Sequence, residues 1–144
     1  MTVATVMTSC PACCTPSSPL TDVARLMVEN DCGEIPVVED MDSRKLAGVV
    51  TDRDIATRIV AAGRNSAEAR ALDAMTSPAV SVHSETSLQE CCELMESHQI
   101  RRVPVVDDAG GVVGIVSLAD VVRSANTSTT VAVVKEVSSG VERG

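Results

Sequence analysis

The sequence contains one unit twice, and this internal repeat limits the available folds more than any other feature. Residues 7–9 and 36–38 recur 68 positions later. The second unit then lacks two residues in a loop, so that residues 48–51 recur 66 positions later. Order and spacing persist over about 50 residues, which chance matches between apolar segments do not produce. The chain is therefore predicted to fold as two similar halves.

Each unit predicts the same order of elements, β-α-β-β-α. A short extended segment comes first, at 12–15 and at 80–83, and an amphipathic helix follows it. Two apolar segments joined by a polar turn then predict a hairpin, and Thr51 and Ser117 begin the second helix of their units. The apolar helix faces, at spacing i, i+3, i+4 and i+7, are Leu20, Val23, Ala24 and Met27, and Leu88, Cys91, Cys92 and Met95.

The helix ends have signals of their own. Ser18 is expected to cap the first helix, with Pro19 at the first helical position. Thr86 and Gln89 form the T-x-x-Q pattern of a capping box at the matching helix of the second unit. Gly63 is expected to end the helix that follows the first hairpin.

These elements predict an α/β (α+β) fold in which two β-α-β-β-α repeats pack sheet to sheet with pseudo-twofold symmetry. A right-handed crossover places the helices of a unit on one face of its sheet, and the other face stays apolar until a second copy covers it. The expected division is repeat 1 at residues 1–60, a linker at 61–73, repeat 2 at 74–125, and a C-terminal helix or tail at 126–144.

Charge and composition argue against several classes of function. A net charge of −8 disfavours nucleic acid or an anionic membrane as the main partner, since both require a basic face. The chain has no Phe, Tyr or Trp, so that it has no aromatic platform for a stacked base. We find neither the pattern of a signal peptide nor an apolar run long enough to span a membrane, and we expect a cytoplasmic protein.

The repeated motifs resemble the CBS domain, the cystathionine-β-synthase repeat, in its usual tandem form, the Bateman module. The resemblance covers residues 3–124, and the general layout is similar to small stand-alone bacterial CBS-pair proteins of the hypoxic response type. It rests on the starts of the repeats at 6–8 and 74–76, their middle strands at 35–38 and 103–106, and their closing segments at 48–54 and 114–120.

The resemblance implies a cleft between the repeats for AMP, ADP, ATP or another adenosyl ligand, with no cofactor required. In such clefts a G-h-x-[ST]-x-x-D segment supplies polar contacts. Here the aspartates would bind the ribose, and the hydroxyl groups would reach a phosphate or the ribose. The residues at the motif positions are Gly48, Thr51 and Asp54, and Gly114, Ser117 and Asp120.

The resemblance also assigns the adenine contacts. The backbone around Ile35 and Val103 would contact the adenine edge, while Pro36 and Pro104 fix their strands. Thr15 and His83 would lie where the first strand of each unit approaches the base.

The residues alone leave two interpretations of the segments 51–54 and 117–120. A hydroxyl group at a helix start lies where free N–H groups favour a phosphate, and a carboxylate is a good acceptor for a ribose diol. The same T-x-x-D and S-x-x-D patterns are also capping boxes, with Asp in place of the usual Glu. Capping alone would explain both pairs without a ligand.

The basic residues make the two halves unequal. Arg101 and Arg102 directly precede Val103, a position at which the resemblance implies an Arg or His that meets a phosphate, and the bidentate fork of Arg suits that role. The first unit has Gly33 and Glu34 at these positions, and an acidic side chain would repel phosphate. We therefore expect Arg101 and Arg102 to serve one of two clefts, unless they are simply a solvated pair beside a strand.

The six cysteines are interpreted mainly as small apolar packing residues. Cys10 and Cys13 form a C-x-x-C, which could hold zinc or form a redox pair. A structural zinc site needs four ligands, however, and no second C-x-x-C or H-x-x-x-H follows. We therefore predict no metal site, and Cys10 and Cys13 are the expected exposed thiols. No catalytic motif is present, and an enzyme is not expected.

The sequence therefore predicts a regulatory CBS pair that senses an adenosine nucleotide or related adenosyl ligand and signals to an unidentified protein partner. A homodimer is the expected assembly. The alternative is a ligand-free structural or interaction protein of the stress type, with redox or metal chemistry at its cysteines.

Overall fold

The computed structural model describes residues 1–126, so that residues 127–144 of the predicted C-terminal helix or tail lie outside the described part. Within it, the strands are β1 (Thr8–Ser9), β2 (Glu34–Val38), β3 (Leu46–Thr51), β4 (Val82–His83), β5 (Arg102–Val106) and β6 (Val112–Ser117). The α-helices are α1 (Leu20–Asn30), α2 (Asp52–Ile55), α3 (Ala71–Ala74), α4 (Leu88–His98) and α5 (Leu118–Asn126). A 3₁₀ turn at Val3–Thr5 precedes them, and a π-helical segment at Ala56–Val60 continues α2.

The strand pairing confirms two β-α-β-β-α units. In the second unit β4 pairs parallel with β5, and β5 pairs antiparallel with β6. In the first unit β2 and β3 form the equivalent antiparallel pair, and the opening strand is reduced to a single parallel bridge between Cys14 and Val37. Both hairpins have a register shift before their turn, at Val37/Val38 and at Val105/Val106.

The opening segments of the two repeats are exchanged. Strand β1, which begins the chain, pairs antiparallel with β6 of the second repeat, with Thr8 opposite Ile115. Thr76, at the start of the second repeat, makes the matching antiparallel bridge to Val49 in β3. Each repeat therefore completes its sheet with a segment from the other half of the sequence.

The cores follow the same exchange. The first core, built on α1, β2 and β3, includes Ala69, Ala71 and Ala74, which lie at and after the predicted linker. The second core, built on α4, β5 and β6, includes Val3 from the N-terminal turn. Complete burial of a side chain of the size of Val3 stabilises a fold by about 1.5–3 kcal/mol, and burial of an Ala methyl group stabilises it by less. The exchanged segments therefore contribute to the stability of both halves.

The sheets of the two repeats meet in a third apolar cluster. It contains Cys13 and Val38 from the first repeat and Val112 from the second, with Leu46 and Val106 packed against them. The hairpin turns also pair: the Leu46 amide donates to the Gly110 carbonyl, and the Val112 amide donates to the Arg44 carbonyl. The predicted packing of sheet on sheet with pseudo-twofold symmetry is confirmed.

Two of the predicted helix caps are wrong by one residue. Helix α1 begins at Leu20 after Pro19, and the Ser18 hydroxyl instead accepts a hydrogen bond from the Thr15 amide at 3.0 Å. Helix α4 is capped by Ser87, which accepts from the Glu90 amide, because the Thr86 hydroxyl already accepts from the His83 amide. In both cases the hydroxyl group that was predicted to cap the helix accepts a hydrogen bond within the turn before the helix.

The π-helical segment that follows α2 ends before Gly63, as predicted. Gly63 has a φ of 71°, the left-handed conformation that favours glycine, and its amide donates to the Val60 carbonyl. Within the π-helical segment, Arg58 donates to the carbonyl groups of Ala74 and Met75 and ties this segment to the end of α3. Among the described helices, none is long and apolar enough to cross a membrane.

Candidate nucleotide clefts between the repeats

Two clefts open where the repeats meet, and residues of both repeats line each of them. The Asp54 cleft, of about 640 Å³, brings residues 51–54 of the first repeat to residues 100–102 and Pro104 of the second. The Asp120 cleft, of about 480 Å³, brings Ser117 and Asp120 of the second repeat to residues 30–32 and to Glu34 and Ile35 of the first. Both volumes lie in the range of small-molecule sites.

Eight of the residues predicted for the site lie in these clefts. Because the sheets pack face to face, each closing segment faces the middle strand of the opposite repeat. The Asp54 cleft contains Thr51, Asp54, Arg101, Arg102 and Pro104. The Asp120 cleft contains Ile35, Arg102, Ser117 and Asp120.

The other predicted site residues have different positions. Neither cleft is lined by Thr15 or His83: the Thr15 hydroxyl contacts those of Ser17 and Ser18, and the His83 ring bonds to the Asp108 carboxylate. Pro36 and Val103 are buried in their strands, and Val103 has no exposed surface. Their side chains pack in the core, which agrees with the expected role of Pro36 in fixing its strand, while the backbone contact expected around Val103 stays a prediction.

Gly48 and Gly114 have a packing role that their motif position did not predict. A Cβ atom on Gly48 would lie 2.5 Å from the carbonyl oxygen of Thr76, and one on Gly114 would collide with the Met7 side chain. In both repeats the glycine lets an exchanged opening segment lie directly on the last strand. Gly48 is thus required by a close backbone approach whether or not a ligand binds, whereas at Gly114 the nearest obstacle is the Met7 side chain, with the Thr8 carbonyl oxygen 3.1 Å away.

Both closing segments are complete capping boxes. The Asp54 amide donates to the Thr51 hydroxyl and the Thr51 amide donates to the Asp54 carboxylate, each at 3.0 Å. Ser117 and Asp120 make the same pair of bonds at 3.1 and 3.3 Å. An ionised carboxylate has about four acceptor positions, so that capping leaves capacity for a ligand hydroxyl.

Two residues, Glu34 and Arg102, line both clefts. They occupy equivalent positions at the starts of β2 and β5. Within residues 1–126, the buried Oε2 atom of Glu34 has no hydrogen-bond partner. Burial raises the pKa of Glu34 to about 7, with Arg102 opposing the rise and Asp54 adding to it. The wall between the clefts therefore carries a carboxyl group that titrates near neutral pH.

Arg123, like Glu34, is one of the charged cleft residues that the predicted site did not include. It lies in the Asp120 cleft, and its guanidinium group contacts the Asp120 carboxylate one helical turn earlier. The i, i+3 spacing of Asp120 and Arg123 was the available signal. Arg53 lines the Asp54 cleft, so that the two clefts contain different sets of guanidinium groups.

The cysteines behave mainly as packing residues. Cys13, Cys14 and Cys91 are buried, while Cys10 is exposed, and all six are free thiols. Cys13 is therefore not the exposed thiol that we predicted, because its Sγ atom packs beneath Arg44, 3.1 Å from Nη2. No group of three or more His, Cys, Asp or Glu side chains in residues 1–126 is arranged to hold a metal ion.

Sequence comparisons place these features in a family. The CBS domain model matches the chain twice, over residues 3–61 and 69–126. Hypoxic response protein 1 of Mycobacterium tuberculosis is 38% identical over 120 residues, which are 83% of this chain and 82% of that protein. Uncharacterized protein MK0525 of Methanopyrus kandleri is 32% identical over 108 residues, 75% of this chain, and the match spans only 54% of that relative.

Solved structures have the same architecture. Hypoxic Response Protein I with two coordinated zinc ions superposes with a TM-score of 0.76 at 36% identity, over 85% of this chain and 98% of that one. CBSX2 in complex with AMP has a TM-score of 0.74 at 29% identity, covering 88% and 96%. The CBS pair of MJ0100, in complex with 5′-methylthioadenosine and S-adenosyl-L-methionine, has a TM-score of 0.74 at 25% identity, covering 88% and 97%. With its repeated motifs, exchanged segments and paired clefts, the chain belongs to the CBS domain family as a tandem pair.

Proposed function

We propose that this CBS pair is a regulatory module that binds an adenosine nucleotide or a related adenosyl ligand between its repeats, chiefly in the Asp54 cleft. The observation that carries the proposal is the grouping of three guanidinium groups, Arg53, Arg101 and Arg102, around the Thr51–Asp54 capping box. Guanidinium groups bind phosphate oxygens in bidentate fashion, and a carboxylate accepts from a ribose diol.

The apolar part of the same cleft suits a purine. Val49, Pro78, Val80, Ile100 and Pro104 line it alongside the charged residues. Since the chain has no aromatic residue, a base would lie between aliphatic side chains instead of stacking on a ring. Such a site combines an apolar surface with a few polar groups, which is typical of nucleotide and cofactor pockets.

The relatives support this ligand class. One structural neighbour holds AMP, and another holds 5′-methylthioadenosine and S-adenosyl-L-methionine. All three ligands share the adenosyl group and differ in the group on its 5′ carbon, which is a phosphate only in AMP. The charged residues of this chain favour AMP, ADP or ATP for the Asp54 cleft because it has the larger number of guanidinium groups.

Regulation would follow from the position of the cleft. A ligand that contacts both repeats stabilises the arrangement in which they are closest, and a protein partner that prefers one arrangement would sense the ligand. We further propose that the working unit is a homodimer. Native mass spectrometry of the untreated protein would report both the number of subunits and any co-purified adenosyl compound.

The proposal is tested by thermal melting with AMP, ADP, ATP, NAD or S-adenosylmethionine at millimolar concentration. A ligand at 100 times its dissociation constant should stabilise the fold by about 2.7 kcal/mol, which corresponds to roughly 8 °C for a chain of this size. Arg101→Ala should reduce the shift, because each charge-assisted hydrogen bond contributes about 1.5–3 kcal/mol. No shift with any of the five compounds would contradict the proposal.

A ligand-free structural role is the second candidate. It is favoured by the completed capping boxes, which give Thr51, Asp54, Ser117 and Asp120 a role without any ligand. Cysteine-based redox or metal chemistry would be part of this alternative. Thiol counting and metal analysis of freshly purified protein test it: six free thiols and no metal would leave only the structural version.

A further inference from the structure

The wall between the two clefts consists of one acidic and one basic residue at equivalent positions of the repeats. Glu34 begins β2 and Arg102 begins β5, and both side chains line the Asp54 cleft as well as the Asp120 cleft. A symmetric pair would give each cleft a guanidinium group of its own at this position. In this chain Arg102 supplies the only guanidinium group at these two equivalent positions, and it lines both clefts.

The Asp120 cleft has little other positive charge. Its second guanidinium group, Arg123, already contacts Asp120, and Asp31 and Glu34 add negative charge. The Asp54 cleft contains Arg53 and Arg101 in addition to Arg102, and these balance the carboxylates of Glu34, Asp52 and Asp54. In the Asp120 cleft two guanidinium groups face three carboxylates, so that its lining has a net negative charge. A phosphate therefore has stronger counter-charges in the Asp54 cleft.

A phosphate bound to Arg102 in one cleft changes the other. The guanidinium fork would be committed to that anion, and a second anion on the opposite side of the wall would meet the first anion and the Glu34 carboxylate. Because the Glu34 Oε2 atom is buried without a partner, nothing in residues 1–126 neutralises it by a hydrogen bond. The two clefts are consequently not independent for anionic ligands.

We propose that the Glu34–Arg102 wall limits each chain to one phosphate-bearing ligand, held in the Asp54 cleft, and that Glu34 denies the Asp120 cleft a second one. The inference rests on the proposed function, since it concerns the same clefts. It adds a specificity-determining residue and a stoichiometry. A ligand without phosphate is not subject to this restriction.

Isothermal titration calorimetry of the full chain with AMP at pH 8 tests the inference. The wild type should bind one AMP per chain, with any second event at least ten-fold weaker. Glu34→Arg copies the basic character of the second repeat into the first and should raise the stoichiometry to two. Glu34→Gln, which has nearly the same shape, should bind its first AMP about three- to ten-fold more tightly and should also strengthen the weaker second event, because the carboxylate no longer repels a phosphate in either cleft.

Arg25→Ala serves as the control, because Arg25 is exposed on α1 and pairs with Asp22 outside both clefts. It should leave stoichiometry and affinity unchanged. Two AMP molecules of comparable affinity on the wild type would overturn the inference and leave the proposed function intact, as would a folded Glu34→Arg protein that still binds one AMP. If Glu34→Arg does not fold, the stoichiometry of the wild type and the AMP affinities of Glu34→Gln test the inference.

S-adenosylmethionine distinguishes failure of the Glu34–Arg102 restriction from failure of adenosyl binding itself. Binding of S-adenosylmethionine without binding of AMP would overturn the inference and preserve an adenosyl function for the clefts. Binding of neither compound would overturn both. One AMP per wild-type chain and two per Glu34→Arg chain is the result that we expect.

Discussion

Gly48 lies directly beneath the backbone of Thr76, so that a Cβ atom at position 48 would be 2.5 Å from the Thr76 carbonyl oxygen. The Val49 amide donates to this same carbonyl at 3.0 Å, and the Thr76 amide donates back to Val49 at 2.8 Å. This contact fastens the start of the second repeat to the first. The close approach of the Thr76 backbone explains why Gly, which normally weakens the interior of a strand, occupies position 48.

We predict that Gly48→Ala destabilises the fold by about 1–3 kcal/mol, because the obstacle is backbone and the pairing must move to admit a methyl group. Chemical denaturation measures this change. Gly33→Ala is the matched control: there the methyl group would meet the end of the Asp52 side chain, which can rotate away. Equal stability losses for the two variants would contradict the exchange as a structural requirement.

The capping boxes give a second prediction. Thr51→Ala should lower the free energy of unfolding by about 1 kcal/mol, since it removes the hydroxyl that caps α2. Thr57→Ala is the control, because the Thr57 hydroxyl bonds only to the Arg53 carbonyl within an exposed helical turn. That change should stay within about 0.5 kcal/mol of the wild type. A stability of Thr51→Ala equal to that of Thr57→Ala would show that the box does not stabilise the helix.

The buried carboxyl group of Glu34 gives a pH dependence with a definite sign. Burial raises the pKa of Glu34 from 4.5 to about 7 in the folded protein, so that the folded state holds this proton more tightly than the unfolded chain. Its contribution to stability is fully present below about pH 4.5 and is lost as the pH rises through about 7. The loss amounts to about 3 kcal/mol at most.

Glu34→Gln should remove this loss, which urea denaturation between pH 4 and pH 8 would detect as a smaller decline in stability toward high pH. Glu29→Gln, at an exposed position of α1, should keep the wild-type decline. Other carboxyl groups act in the opposite direction: hydrogen bonds from Ser43 lower the pKa of Asp40. The difference between Glu34→Gln and the wild type is therefore the relevant quantity, and parallel curves would refute a desolvated Glu34.

The thiols should react in an order set by burial. Burial raises the pKa of Cys14 to about 12 and that of Cys91 to about 11, which leaves little thiolate at neutral pH. Cys10 is exposed, so that a thiol reagent should modify it first. Cys10→Ser should abolish the fast phase. A fast phase that persists in this variant would mean that another thiol, half-buried Cys32 or Cys92 or one of the buried three, is as accessible as Cys10.

The repeat made most of the fold predictable from sequence. The order of the elements, both hairpins and the pairing of the halves follow from apolar periodicity and from the need to cover two bare sheet faces. The caps were less predictable because Thr86 and Ser87 are adjacent hydroxyl residues, and the choice between them depends on the turn made by His83. A sequence pattern does not resolve such one-residue alternatives.

The exchange of opening segments was not predicted, although Gly48 and Gly114 contained the signal. A glycine within a strand often marks a close backbone approach, but the resemblance assigned both glycines to the ligand. The resemblance placed Thr15 and His83 near the base because they end the first extended segment of each unit, yet their polar groups are used in local turns and in a pairing with Asp108. Such contacts depend on how distant segments meet, which local periodicity does not encode.

Binding of a nucleotide in the Asp54 cleft can be tested most directly by mapping AMP onto the isotopically labelled protein with amide chemical-shift changes. We expect the largest changes at residues 33–34, 51–54 and 100–102, which line the Asp54 cleft, with smaller changes on the exposed face of α1. Changes confined to other surfaces, or no changes at millimolar AMP, would contradict binding in this cleft.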